Sequence, residues 1–68
     1  MRISVTVNGT KREFEAPVNI GGALKVEGYE GMLVAVAVNG HFVPKAQHGV
    51  SRLKDGDEVE IVSPMQGG

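Results

Sequence analysis

The chain has 68 residues, a net charge of −1 from seven basic and eight acidic side chains, and no cysteine. That length suits one small domain, which buries only about 60% of its unfolded surface; the lack of Cys excludes disulfides, zinc-finger ligation and a catalytic thiol. The aromatic residues are Phe14, Tyr29 and Phe42, and the basic residues form no stripe; this argues against nucleic-acid binding.

Residues 1–7 alternate, with Met1, Ile3, Val5 and Val7 on one face and Arg2, Ser4 and Thr6 on the other, as in a half-buried strand. The start Met1-Arg2-Ile3-Ser4 therefore reads as strand and not as a signal peptide. No apolar run reaches membrane-spanning length. A cytoplasmic protein with no membrane partner is expected. Asn8-Gly9 is a strong hairpin signal, because both residues tolerate positive φ. Arg12–Ala16 returns as the second strand, with Phe14 and Ala16 on one face and Glu13 and Glu15 on the other.

Pro17 ends that strand. Asn19 is placed to cap a helix on which Ile20, Ala23 and Leu24 share a face, and Gly28 closes it. Gly21-Gly22 lowers the intrinsic helix propensity by about 1 kcal/mol per residue relative to Ala. The pair belongs to no G-x-G-x-x-G or Walker pattern, so a short helix leaning on the sheet is expected there, not a phosphate loop.

Residues 33–38 are apolar on both faces, which predicts an interior strand. Val34, Val36 and Val38 form the bulkier, β-branched set and are assigned to the core. Leu33, Ala35 and Ala37 then line the opposite, open face. Asn39-Gly40 is a second turn, and His41-Phe42-Val43 a brief strand stopped by Pro44. Residues 45–53 read as an irregular or single-turn connection anchored by Val50 and Leu53. Asp55-Gly56-Asp57 is a tight turn. Glu58–Val62 is the last strand, with Val59 and Ile61 inward and Glu58, Glu60 and Val62 outward.

These elements predict an α+β domain over 1–62: a mixed sheet of four to five strands with one short helix on one face. A flexible tail over 63–68 follows, ending in Gly67-Gly68. A carboxylate on this pair has no side chain near it, and Gly67 widens the accessible backbone conformations. Ser63–Gly68 can extend about 20 Å, at roughly 3.3–3.6 Å per residue. The terminal carboxylate of Gly68 is the expected functional group, with the domain presenting it.

The ββαββ order, together with Val38-Asn39-Gly40, Val43-Pro44, Leu53-Lys54-Asp55-Gly56-Asp57, Val59-Glu60-Ile61-Val62 and Gly67-Gly68, resembles the ubiquitin-like β-grasp family. Within it, the chain is similar to the ThiS-type sulfur carriers of the ThiS/MoaD group. Where family members usually carry a Leu-rich helix, this chain has Gly21, Gly22, Gly28 and Gly31.

The resemblance implies that Gly68 is adenylated by an E1-like adenylyltransferase of the ThiF or MoeB type, which uses ATP and magnesium. The chain itself then binds no cofactor. Sulfur from a cysteine desulfurase or another donor displaces AMP and leaves a thiocarboxylate on Gly68. The resemblance further implies sulfur donation to a thiazole synthase of the ThiG type in thiamine biosynthesis. Alternatives within the same chemistry are another sulfur-accepting enzyme, for molybdopterin, cysteine or methionine, and a protein modifier joined to lysine through Gly68. On any of these readings the chain is a protein co-substrate and not an enzyme. Leu33, Ala35, Ala37, Phe42 and Val62 on the open face, with Met65 and Gln66 in the tail, are the expected partner contacts.

The other candidates are weaker. His41 and His48 lack further ligands at metal-site spacing and are expected as exposed or loop histidines. Asp55, Asp57, Glu58 and Glu60 lack a calcium-loop pattern and read as a turn plus a solvated strand face. Ser4, Ser51 and Ser63 have no triad context.

Overall fold

The computed structural model describes residues 1–63. Met65, Gln66, Gly67 and Gly68, and with them most of the expected tail, lie outside the described residues. Five strands and one α-helix follow in the order β1 (Arg2–Val7), β2 (Thr10–Glu15), α1 (Ile20–Val26), β3 (Ala35–Val38), β4 (His41–Val43) and β5 (Glu58–Val62), with a 3₁₀ turn at Lys45–Gln47 before β5. The strands form one mixed sheet in the order β2-β1-β5-β3-β4. The last strand in sequence is thus the central one, parallel to β1 and antiparallel to β3.

Two-residue turns set both hairpins. Asn8 and Gly9 have φ of 50° and 83°, and Asn39 and Gly40 have φ of 52° and 82°. Positive φ at both central positions is the type I′ turn, whose twist matches that of paired strands. Pairing therefore starts at once, Val7 opposite Thr10 and Val38 opposite His41. This is why β2 begins at Thr10 and not at Arg12. The third strand is shorter than expected. Ala35 lies opposite Val62, the last residue of β5, so Leu33 and Val34 precede the ladder.

One face of the sheet carries the core. Ile3, Val5, Val7, Phe14, Val34, Val36, Val59 and Ile61 pack with Ile20, Ala23 and Leu24 of α1 and with Leu53. Ile20, Val5 and Val36 are the largest fully buried side chains, each contributing on the order of 1.5–3 kcal/mol by burial. Val38, also assigned to the core, is only half-buried and packs against it, and two other residues assigned inward are exposed. Met1 precedes the first ladder pair and is exposed. Val50 is 76% exposed, because 3₁₀ and turn hydrogen bonds to Gln47 carry it outward.

The segment containing Val50 is tied down by its backbone. Ser51 C=O accepts from Ile20 N–H, His48 C=O accepts from Gly21 N–H, and Leu53 N–H donates to Val18 C=O, all at 2.9–3.0 Å. Two of these bonds take up N–H groups at the start of α1 that have no partner within the helix.

Asn19 supplies a third. Its Oδ1 accepts from Gly22 N–H at 2.7 Å, and its Nδ2 donates to Gly49 C=O at 3.0 Å. At the other end, Gly28 N–H donates to Lys25 C=O and Tyr29 N–H to Leu24 C=O. That pair of bonds is a Schellman cap, which needs the positive φ of 91° that Gly28 adopts. Capping at both ends sustains a helix that two glycines would otherwise weaken. Asn19→Ala is expected to lower unfolding free energy in urea by about 1–2 kcal/mol. Asn19→Asp keeps the acceptor and loses less; equal losses would show that the cap is not the source.

Candidate functional site

The site is built from β5 and its neighbours on the sheet face that α1 leaves uncovered. Alternation along β5 turns Glu58, Glu60 and Val62 outward, all three exposed. Register places Ala35 opposite Val62, and Ala37 opposite both Glu60 and Phe42. Phe42 lies on the edge strand β4 and is 67% exposed. Leu33 is exposed just ahead of β3. Small apolar and larger apolar side chains thus adjoin on one side of β5, next to the two glutamates. A concavity of about 340 Å³ lies along β5, lined by Thr6, Gly9, Gly40, Glu58, Val59 and Glu60.

Two asparagine carboxamides extend the backbone ladders that hold β5. Asn39 N–H donates to Glu58 C=O at 2.7 Å. Its Oδ1 accepts from Glu58 N–H at 2.9 Å, and its Nδ2 reaches Asp57 Oδ1 at 3.0 Å. On the other side, Asn8 N–H donates to Val59 C=O at 2.9 Å. Asn8 Oδ1 accepts from Ile61 N–H at 2.8 Å, and its Nδ2 lies 3.3 Å from Ile61 C=O. Read from sequence, these two residues are turn formers only. The Asn-Gly signal says nothing about where the carboxamide points, so this second role was not legible there.

The acidic cluster separates into two parts. Asp55 Oδ1 accepts from Ser4 N–H at 2.7 Å, and Asp57 Oδ2 from Lys54 N–H at 2.8 Å. These two carboxylates stabilise the turn and tie it to β1. Glu58 and Glu60 stay exposed on the open face. Among the described residues, no three His, Asp or Glu side chains converge on a metal-sized site.

The two histidines, one exposed and one in the 45–53 connection, differ from each other in burial. His41 is exposed, but His48 is only 8% exposed, the one buried polar or charged residue among those described. Its Nε2 lies 3.1 Å from Val43 C=O, the geometry of a ring N–H donor to that carbonyl. The 3₁₀ turn folds the imidazole back over the end of β4, an arrangement no local motif announces. The ring borders a second concavity of about 220 Å³, shared with Leu24, Tyr29, Met32, Val34 and Lys45. His48→Ala is expected to cost about 1–3 kcal/mol of stability through the lost hydrogen bond and packing. His41→Ala should stay within about 0.5 kcal/mol. Equal thermal-denaturation midpoints for the two variants would refute the assignment.

Charge is concentrated at the β1–β2 edge. The Met1 ammonium donates to Glu15 Oε2 at 2.7 Å. That hydrogen bond, then the ammonium's charge and then Arg2, hold the Glu15 carboxyl below its ordinary value. A lowered folded pKa means that the contribution is complete above the ordinary Glu range. It is lost as pH falls through the lowered value. Acetylating the Met1 amine should raise the Glu15 midpoint in a carboxyl NMR titration. An unmoved midpoint would show that the ammonium is not the cause.

A family model, the ThiS family, matches residues 5–68, nearly the whole chain. The chain belongs to the ThiS family. The crystal structure of the thiamine biosynthesis protein ThiS from Geobacter metallireducens matches this ThiS-family chain with a TM-score of 0.79 at 28% identity. The match covers 97% of this chain and 100% of that one. The five-stranded mixed sheet with one short helix is accordingly the β-grasp fold of ThiS. A thiazole synthase of Paramagnetospirillum magneticum is 33% identical over 66 residues, 97% of this chain. The chain spans about a fifth of that relative's length, 20%.

Proposed function

We propose that this ThiS-family chain is a sulfur carrier of thiamine biosynthesis and that its reacting group is the carboxylate of Gly68. The observation that carries the reading is the family match, which runs through residue 68. A carboxylate is resonance-stabilised and anionic, so it becomes an acyl donor only after gaining a leaving group. In this proposal an E1-like adenylyltransferase joins the Gly68 carboxylate to the α-phosphate of magnesium-bound ATP and releases pyrophosphate. A sulfur nucleophile, relayed from a cysteine desulfurase or an equivalent donor, then attacks the acyl carbon and expels AMP. When that nucleophile is a persulfide, the product is an acyl disulfide; a second thiol attacks its donor-side sulfur, becomes oxidised to a disulfide with the donor and releases the thiocarboxylate on Gly68. Gly68 carries no Cβ, so the acyl carbon is open to attack.

The thiazole synthase relative supports a thiazole synthase as the acceptor, in preference to an enzyme of another sulfur pathway. That protein contains a segment similar to this chain. Catalysis in this scheme belongs to the partners, and the chain is their co-substrate. The open face contributes docking. Leu33, Ala35, Ala37, Phe42 and Val62 offer apolar contact beside the exposed Glu58 and Glu60, with Met65 and Gln66 following in sequence.

Intact-mass measurement tests the chemistry. With an E1-like enzyme, ATP, magnesium, a persulfide donor and a thiol reductant, one oxygen should be exchanged for sulfur, localised to Gly68. Deleting Gly68 should abolish the exchange. Phe42→Ser, at an exposed position, should change stability by no more than about 0.5 kcal/mol and weaken the adenylation step. A mass that never changes would overturn the carrier reading. A lysine-linked conjugate appearing in its place would turn it toward protein modification.

A further inference from the structure

We propose that Asn8 is a positioning residue for the chemistry at Gly68, acting through Ile61. The role rests on the carrier reading above. β1 pairs with β5 at Thr6–Glu58 and Val7–Val59. Beyond that point the positive φ values of Asn8 and Gly9 turn the β1 backbone away. The next outward peptide groups of β5 on this side, Ile61 N–H and C=O, would then have no backbone partner. The Asn8 carboxamide takes both, at 2.8 and 3.3 Å. A carboxamide copies a peptide group, one acceptor beside one donor, so the side chain adds a further rung to a parallel ladder whose backbone has already left.

The location of that rung gives it functional weight. Ile61 immediately precedes Val62, where β5 ends, and Ser63, the last described residue. The rung therefore fixes the end of β5, which residues 63–68 follow in sequence. Without it, Ile61 and Val62 keep their pairing to Val36 and Ala35 on β3 but lose the hold on the β1 side, and about one residue's worth of backbone freedom must be lost again when the carboxylate is held at an adenylating centre. Each residue that has to be ordered weakens productive engagement by roughly tenfold. Small misplacements of a reacting group have comparable effects.

Asn39 provides a matched control. It makes the equivalent carboxamide contact with Glu58 N–H, at the opposite end of the same strand. Glycine suits positive φ, so Asn8→Gly and Asn39→Gly each keep their turn and remove only the carboxamide.

With an E1-like enzyme, ATP and magnesium, pyrophosphate release is expected to show kcat/KM about tenfold lower for Asn8→Gly. Asn39→Gly should stay within about twofold of wild type once both variants are assayed well below their melting temperatures. Asn8→Asp keeps the acceptor for Ile61 N–H and should recover part of the loss. In the free protein, Asn8→Gly should speed hydrogen exchange at the Ile61 amide, whereas Asn39→Gly should leave it unchanged. Equal kcat/KM for Asn8→Gly and wild type, or equal losses in the two glycine variants, would overturn the role. A wild-type chain that is never activated sinks the carrier reading and this role with it. An activated wild type beside an unaffected Asn8→Gly sinks this role alone.

Discussion

The structure depends on how β5 is held. It is the last strand to be made and the central one in space, so the two halves of the sheet meet only through it. Its neighbours run in opposite directions, β1 parallel and β3 antiparallel. Val59 and Ile61 supply the apolar attachment, both buried against α1 and the inner face of the sheet. The carboxamides of Asn8 and Asn39 supply the polar attachment at its two ends. Each of these asparagines also has positive φ in a type I′ turn, so one residue closes a hairpin and fastens the central strand.

The rest of the domain follows from covering one face of that sheet with little material. The helix is seven residues long and contains Gly21 and Gly22, so intrinsic propensity contributes little. Burial of Ile20, Ala23 and Leu24 holds it, along with capping by Asn19 and Gly28. The 45–53 connection completes the inner layer through its backbone contacts with residues 18–21, Leu53 and the buried His48. The opposite face stays open, and its apolar residues cluster where β5 ends. The two faces therefore differ among the described residues: one is covered and stabilises the fold, and the other is left exposed.

Much of this was legible in local pattern. Alternation identified the inward residues of β1, β3 and β5, because side chains on a strand alternate whatever its neighbours are. The two Asn-Gly pairs identified the hairpins, because positive φ is a property of the residues themselves. Asn19 marked the start of the helix through its side-chain acceptor, and Gly28 its end through positive φ. What local pattern did not show has the opposite character. Val50 and His48 differ by only two positions, yet the apolar one is exposed and the titratable one buried. The path of an irregular segment is set by its contacts with distant backbone, which no periodicity records. Met1 follows the alternation of β1 but lies beyond the ladder that would cover it.

By itself, the sequence determined which residues of the paired strands and the helix face inward, where the chain turns and that Gly67-Gly68 follows the last strand, because these depend on side-chain type and spacing. Only the tertiary structure decided that β5 lies between β1 and β3, that His48 closes over Val43 and that Asn8 continues a ladder its own backbone has left. Those features are pairings between groups far apart in the chain, and the hydrogen-bonding capacity of an asparagine does not reveal which distant peptide will meet it.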